Sequence, residues 1–324
     1  MLNYEKRFGE IAMTDIFFNI FMLVVGFLLL MKGADYFIDG ATSAAAKFNI
    51  PMIIIGLTVA AFGTSLPEAA VSINAAIREN SGISVGNIVG SNIFNILIIL
   101  GISAIITPLT VRNQTVKVEM PIVVGVSTVL AIFGFAFGKL SVVYGIIQWL
   151  IFIAFLVYLY FQAKKGSDDD NEDVKILSVG RSIFCILTGL AAIVLGSEAA
   201  VDGATAIAEA AGISDRVIGL TIVACGTSLP ELITSTKAAL RGNADLAVGN
   251  IVGSNIFNIL FILGTSSLIT PLTFGTDFLI DAVVSIAAAL LLLLFCRKER
   301  ALKRWHGIVF IILYAIYFVY LFMR

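Results

Sequence analysis

The hexapeptide Gly-Thr-Ser-Leu-Pro-Glu occurs twice, as Gly63–Glu68 and as Gly226–Glu231, and both copies lie inside long apolar stretches. Each copy sets a proline beside a carboxylate at about the depth where a bilayer would be driest. A charge there is costly and is rarely accidental. Pro67 has no amide hydrogen, so the carbonyl of Gly63 loses its helical partner, and the glycine eases the opening. Pro230 does the same to Gly226. A helix broken in this way frees backbone oxygens that a cation can use.

The rest of the chain supplies the membrane. Of its 324 residues 59% are hydrophobic and only 13% charged, with a mean hydropathy of +1.01; soluble domains carry about 25% charged residues. The composition therefore describes an all-α polytopic membrane protein. A span needs about 20 apolar residues. By that measure ten spans fall near 16–36, 50–77, 84–106, 118–137, 140–161, 180–200, 213–240, 247–269, 278–296 and 305–323. Helices 2 and 7 carry the breaks. No small-residue cleavage site follows the first apolar run, so it is read as a span rather than a cleaved signal. The net charge of −1 gives no basic field for nucleic acid.

The two hexapeptides belong to a much longer repeat. At an offset of 163, the stretch from Gly33 to Thr110 matches Gly196 to Thr273 without a gap, with 45 of 78 pairs identical. The longest identical block, Val-Gly-Asn-Ile-Val-Gly-Ser-Asn-Ile-Phe-Asn-Ile-Leu, covers 85–97 and 248–260. Apolar composition produces chance matches of Leu, Ile and Val, but not of Asn, Ser, Pro and Glu. Residues 1–162 and 179–324 thus form two five-helix repeats around motif regions 56–110 and 219–273, separated by the acidic linker 163–178. Five is odd, so the second repeat must enter from the opposite side, giving inverted topology. Loops holding Lys164, Lys165, Lys175, Arg181, Arg297, Lys298 and Arg300 make one side much the more basic. The positive-inside rule then places the linker in the cytoplasm and both termini outside the cell membrane.

The motifs bring oxygen donors together. Thr64 and Glu68 are four residues apart and Ser65 and Glu68 three, so all can share a helix face; Thr227, Ser228 and Glu231 repeat the set. Asn87, Ser91 and Asn95 form a polar stripe at i, i+4 and i+8 on the third helix, and Asn250, Ser254 and Asn258 do so on the eighth. Small-xxx-small pairs, Gly86/Gly90 and Gly249/Gly253, let helices approach closely. An all-oxygen cavity with two carboxylates suits hard cations: Ca²⁺ takes about 6–8 oxygens, and Na⁺ uses similar neutral donors. Two glutamates offer −2, which one Ca²⁺ cancels. Two such carboxylates repel one another unless cations or protons are always present, which suits an exchanger better than a one-way carrier.

Other polar residues have plainer readings. Asp39 and Asp202, with Asp35 and Glu198 beside them, lie near helix ends and are expected to be structural. The acidic run within 168–173 lacks the glycine-turned loop of an EF-hand and is read as a solvated linker. Cys185, Cys225 and Cys296 are read as packing, the single histidine His306 excludes a histidine-based metal site, and Trp149 and Trp305 are read as interface anchors.

With both motifs in both halves, the chain resembles the calcium/cation antiporter superfamily and, within it, the sodium/calcium exchangers. That family's repeats carry Gly-Thr-Ser-x-Pro-Glu/Asp followed by Gly-Asn-x-x-Gly-Ser-x-x-x-Asn/Asp. The resemblance covers essentially the whole chain. It implies a ten-helix inverted-repeat fold in which helices one and six slide past a core that holds the ions. It also implies four clustered sites, one for Ca²⁺ between the glutamates and the others for Na⁺. The ligands carry over to Thr64, Ser65, Glu68, Ser91 and Asn95, and to Thr227, Ser228, Glu231, Ser254 and Asn258, with the backbone carbonyls of Ala61 and Ala224 joining them. Potassium-dependent members, and some simple microbial ones, carry Asp where this chain has Asn258; the amide lowers the available negative charge, so potassium co-transport is not expected. The large regulatory loop of the animal exchangers is absent from the linker position, and so is the Gly-Asn-Ala-Thr/Val-Glu motif of the proton-coupled branch.

The expectation is a secondary antiporter of Na⁺ and Ca²⁺ with no bound cofactor, a monomer sufficing, and the lipid bilayer and the two ions as its partners. Ca²⁺/H⁺ exchange on the same fold and a cation channel stand as alternatives. A membrane enzyme is disfavoured because no phosphate loop, histidine pair or activated nucleophile is present.

Overall fold

The computed structural model describes residues 2–47, 63–165, 177–240, 242 and 244–323, almost all of them helical. Helix α1 is Leu2–Lys47, with its apolar part at Ile16–Phe37. Then follow α2 (Leu66–Ile77), α3 (Ser81–Ile106), α4 (Thr115–Phe137), α5 (Val142–Lys165) and α6 (Val179–Ala211). The second half continues with α7 (Asp215–Thr227), α8 (Leu229–Leu240), α9 (Ala244–Ile269), α10 (Thr276–Glu299) and α11 (Arg304–Met323). Among the described residues, eight helices are long and apolar enough to cross a membrane, and the bent pair α7–α8 makes a ninth span. The expected second span, 50–77, is described only from Gly63 onward, as α2 and the turn before it. The expected sixth span, 180–200, proves longer: α6 runs on to Ala211, where Gly212 ends it with a positive φ of 63°.

Burial separates the spans. α3 and α9 bury 83% and 78% of their most apolar stretch, against 22–39% for the other six unbroken spans. These two helices are the centre of the bundle, and they are the ones that carry the Asn/Ser stripes. A helix with polar residues along it can sit there only if other protein, not lipid, surrounds it. Both pass through a π-helical turn at matching places, Asn95–Leu100 and Asn258–Leu263. Such turns widen the backbone locally and are common at functional sites.

The halves interlock. Strand β1 (Leu109–Thr110) pairs with β4 (Ala301–Leu302), and β2 (Lys139–Leu140) with β3 (Leu272–Thr273), so each short ribbon joins one half to the other. α1 and α6 lie along each other at backbone distance through glycines spaced seven apart. A Cβ added to Gly33 would sit 2.9 Å from the Gly189 carbonyl, one on Gly196 2.8 Å from the Gly26 carbonyl, and one on Gly40 2.7 Å from the Ser182 carbonyl. The partner number falls as the α1 number rises, so the two helices run antiparallel.

Two apolar clusters complete the packing. The larger fills the space among α3, α4, α5, α9, α10 and α11. The smaller joins α1 and α6 to α2 and the start of α3, through Leu23, Leu30, Val71, Ala75, Ile83 and Ile193. Asp202 has the structural role expected of it, paired with Arg78 at the end of α2. Trp149 has protein partners. Its indole nitrogen donates to Thr265 Oγ1 at 3.2 Å and its ring meets Phe152 and Phe261 edge-on, so a half-buried side chain packs against the core. Trp305 is more than half exposed, as an interface residue would be.

Candidate cation site

Both helix breaks sit on the serine of the hexapeptide. Ser65 has φ −91° and ψ 8°, and Ser228 has φ −84° and ψ 9°, outside helical values. Pro67 and Pro230 follow two residues later and start the next helix. At the second break the axis turns by 48° between α7 and α8. The cause is the one legible in sequence: proline withholds a donor and crowds the turn before it.

Across the breaks the halves exchange hydrogen bonds. Ser65 Oγ donates to Glu231 Oε1 at 3.1 Å, and Ser228 Oγ donates to Glu68 Oε1 at 2.9 Å. Thr227 Oγ1 donates to Asn87 Oδ1 at 3.0 Å, and Thr64 Oγ1 to Asn250 Oδ1 at 3.4 Å. Every one of these contacts has its counterpart 163 residues away. The side chains of Glu68, Glu231, Ser65, Ser228, Ser91, Ser254, Asn95 and Asn258 are fully buried, and Thr227 nearly so, while Thr64 is half-buried. The structure thus joins Ser65 to Glu231, Ser228 to Glu68, Thr64 to Asn250 and Thr227 to Asn87, and it buries Ser91, Asn95, Ser254 and Asn258 on the two stripe helices. Ala61 lies outside the described residues. The Ala224 carbonyl accepts from Ser228 N at 3.1 Å and lies 3.4 Å from the Thr227 hydroxyl, whose one proton goes to the nearer Asn87 Oδ1.

Asn87 and Asn250 act as struts. Asn87 Nδ2 donates to Ser72 Oγ at 2.9 Å and to the Glu68 carbonyl at 3.3 Å; Asn250 Nδ2 donates to Ser235 Oγ at 3.1 Å. Each ties its stripe helix to the helix after a break. One pair of residues escaped the sequence reading. Asn92 Nδ2 donates to the Asn255 carbonyl and Asn255 Nδ2 to the Asn92 carbonyl, both at 3.2 Å. Asn95 Nδ2 donates to Asn255 Oδ1 at 2.9 Å and Asn258 Nδ2 to Asn92 Oδ1 at 3.0 Å. Their signal was present in the identical block Ser-Asn-Ile-Phe-Asn, but Asn92 and Asn255 lie off the stripe formed by i, i+4 and i+8.

Among the described residues thirteen buried side-chain atoms lack a hydrogen-bond partner, and six of them belong to the residues that the sequence singles out. Glu68 Oε2, Glu231 Oε2, Ser91 Oγ, Ser254 Oγ, Asn95 Oδ1 and Asn258 Oδ1 are buried with no hydrogen-bond partner among the described residues. All six are oxygens, and they fall into three pairs related by the 163 offset. Burying one unsatisfied polar group costs about 1–3 kcal/mol, more when it is charged. Oxygens with free lone pairs can be compensated by cations. The hydroxyl protons of Thr64, Ser65, Thr227 and Ser228 are already committed to protein acceptors, so their lone pairs too are available. Among the described residues no three His, Cys, Asp or Glu side chains cluster, so the donor set is two carboxylates and neutral oxygens, a hard-cation set.

A bundle with a buried all-oxygen site between two repeated broken helices is the architecture of a membrane ion carrier. Comparison with known proteins gives the family. The sodium/calcium exchanger protein family model matches residues 18–161 and 181–323. The sodium/calcium exchanger MaX1 of Methanosarcina acetivorans is 36% identical over 94% of this chain and 98% of its own length. The inner membrane protein YrbG of Escherichia coli is 39% identical over 83% of this chain and 87% of its own. Among solved structures, the sodium-calcium exchanger NCX_Mj soaked with Na⁺ and Sr²⁺ superposes with a TM-score of 0.64 at 38% identity, covering 93% of this chain and 97% of that one. The chain belongs to the sodium/calcium exchanger family. It is a multi-pass membrane transporter of an antiporter family, not an enzyme.

Proposed function

We propose that this protein expels Ca²⁺ in exchange for Na⁺ by alternating access, with both ions using one set of oxygens. The reading rests on a single observation: two buried glutamates, each bonded through one oxygen to the other half's serine, keep their second oxygens unpaired. Glu68 and Glu231 together cancel one Ca²⁺. Thr64, Ser65, Thr227, Ser228, Ser91, Ser254, Asn95, Asn258 and the carbonyls of Ala61 and Ala224 complete the coordination of Ca²⁺ and of Na⁺. Sharing the carboxylates enforces exchange, because the two ions cannot be held together on the same −2 charge. If three Na⁺ enter per Ca²⁺, one net charge crosses per cycle, and 100 mV supplies about 2.3 kcal/mol.

The same proposal covers the topology. Reading 50–77 as one broken span brings the total to ten helices in two inverted five-helix repeats, with 163–178 as a cytoplasmic linker and both termini outside the cell. The antiparallel run of α1 against α6 supports inversion, because these are corresponding helices of the two halves. The amide of Asn258 in place of a carboxylate supports independence from K⁺. Purified protein in vesicles, loaded in turn with Na⁺, K⁺ or H⁺ gradients and assayed for ⁴⁵Ca²⁺ uptake, tests the assignment. Uptake driven by Na⁺ alone is expected. Uptake driven by a pH gradient without Na⁺ would replace Na⁺ with H⁺ as the coupling ion.

A further inference from the structure

The amide network at the crossing of α3 and α9 has a fixed polarity, and that polarity can be followed link by link. A backbone carbonyl can only accept a hydrogen bond. The carbonyl of Asn92 lies 3.2 Å from the Asn255 side chain, so the end of that side chain facing it must be Nδ2. Oδ1 of Asn255 is thereby turned the other way, toward Asn95. An oxygen there must be met by a donor, so Asn95 presents Nδ2 to it, at 2.9 Å. The amide of Asn95 then has one end left, its Oδ1, which is buried and has no hydrogen-bond partner among the described residues. The mirror chain runs from the Asn255 carbonyl to Asn92 Nδ2, then from Asn92 Oδ1 to Asn258 Nδ2, and ends on the unpaired Asn258 Oδ1. Ordinarily the oxygen and nitrogen of an amide are told apart only by their hydrogen-bond network. Here two main-chain oxygens anchor the whole assignment.

We propose that Asn92 and Asn255 are positioning residues that turn the amides of Asn95 and Asn258 so that oxygen, never nitrogen, faces the cation. This rests on the cation site proposed above and adds residues that would touch no ion. A free asparagine could turn its NH₂ group inward, and that group is a donor only and repels a cation. Each orienting residue belongs to the opposite half from the amide it orients. The two halves therefore set each other's ligands, and a shift of α3 against α9 would release both at once.

The test is a pairwise cycle read by equilibrium ⁴⁵Ca²⁺ binding to the purified protein, with and without competing Na⁺. Asn255→Leu removes the acceptor that holds Asn95. The concentration for half-saturation by Ca²⁺ or by Na⁺ is expected to rise roughly tenfold, the effect of losing one contact to a charged group. Asn95→Asp carries oxygen at both ends, so its orientation no longer matters. Adding Asn255→Leu to Asn95→Asp is expected to change half-saturation by less than about twofold, since the coupled term is what a double-mutant cycle isolates. An equal loss in both backgrounds would mean that Asn255 only supports the fold, and no response of either ion to Asn255→Leu would equally overturn the proposal. If Asn255→Leu does not give folded protein, Asn92→Leu with Asn258→Asp asks the same question of the mirror chain. If neither leucine variant folds, a structure of the unaltered protein with Sr²⁺ decides: the ion lies on the side-chain oxygens of Asn95 and Asn258, or those side chains turn away and the idea fails. Unaltered protein that binds no Ca²⁺ would count against the site itself, an outcome distinct from any of these.

Discussion

Two pairs of corresponding helices meet in this molecule, and they meet by opposite chemistry. α3 and α9 cross through buried amides whose donors and acceptors match one to one. α1 and α6 lie together through glycines, backbone against backbone, and among the described residues their cross-bond is at one end, from Ser182 Oγ to Ser43 Oγ at 3.1 Å. Directional bonds hold a register, because a displaced amide loses its partner while buried. A seam of small residues holds a distance and leaves register to shape. On the function proposed above, the first pair fixes the ion ligands in place. The second is held to the rest by apolar packing and by a few polar contacts in the C-terminal half of α6, such as Asn74 to Ser197 and Arg78 to Asp202; on the function proposed above it is the part better suited to move.

The sharpest way to break this comparison is to remove charge from the fixed part. Glu68→Gln or Glu231→Gln leaves one buried carboxylate to hold a divalent ion, and Na⁺-driven ⁴⁵Ca²⁺ uptake is expected to fall at least ~100-fold, the scale of breaking a buried ion pair. Near-normal uptake by either variant would remove the glutamates from the site. The seam should respond differently. Gly33→Ala forces a methyl against main-chain atoms of α6, and overpacking of that kind costs about 1–3 kcal/mol. The thermal unfolding midpoint in detergent should drop and exchange should slow, with equilibrium Ca²⁺ affinity little changed. Gly125→Ala, where nothing lies within 4 Å, is the matched control and should do neither. A weaker Ca²⁺ affinity in Gly33→Ala would show that the two parts are not separable.

Smaller changes sharpen the picture within the site. Ser91→Ala and Ser254→Ala each delete one unpaired oxygen, and roughly a tenfold rise in half-saturating Ca²⁺ or Na⁺ is expected for either. No shift for either ion would place those hydroxyls outside the coordination shell. The least effect is expected from the threonines, and it should be unequal. Thr227 is buried and bonds Asn87 at 3.0 Å, whereas Thr64 is half-buried and bonds Asn250 at 3.4 Å. Thr227→Val should therefore weaken ion binding a few-fold more than Thr64→Val, since a buried hydrogen bond contributes about 0.5–1.5 kcal/mol net and a longer, wetter one less. Equal effects would mean that the difference in burial does not matter to the ions.

Much of this was legible in the residues. Pro67 and Pro230 announced the breaks, the 163 offset announced the two halves, and the carboxylates could not have been tolerated in an apolar span without a purpose. Helical periodicity put Asn87, Ser91 and Asn95 on one face because 3.6 residues make a turn, and that depends on no neighbour. Asn92 was overlooked for the same reason: it lies on another face, and periodicity says nothing about which helix will stand opposite. The partner of Trp149 was likewise not legible, because an aromatic near a span end reads alike whether or not its indole nitrogen meets a residue such as Thr265.

The chain alone therefore determined the inventory: two copies of an acidic broken helix, two polar stripes, and enough apolar length to keep them in a membrane. Only the folded arrangement decided the pairing, in which the serine of one half binds the glutamate of the other and Asn92 meets Asn255 across the crossing. Local backbone geometry is written residue by residue, whereas contacts between segments 160 or more residues apart arise only when packing brings the two helices to the same depth.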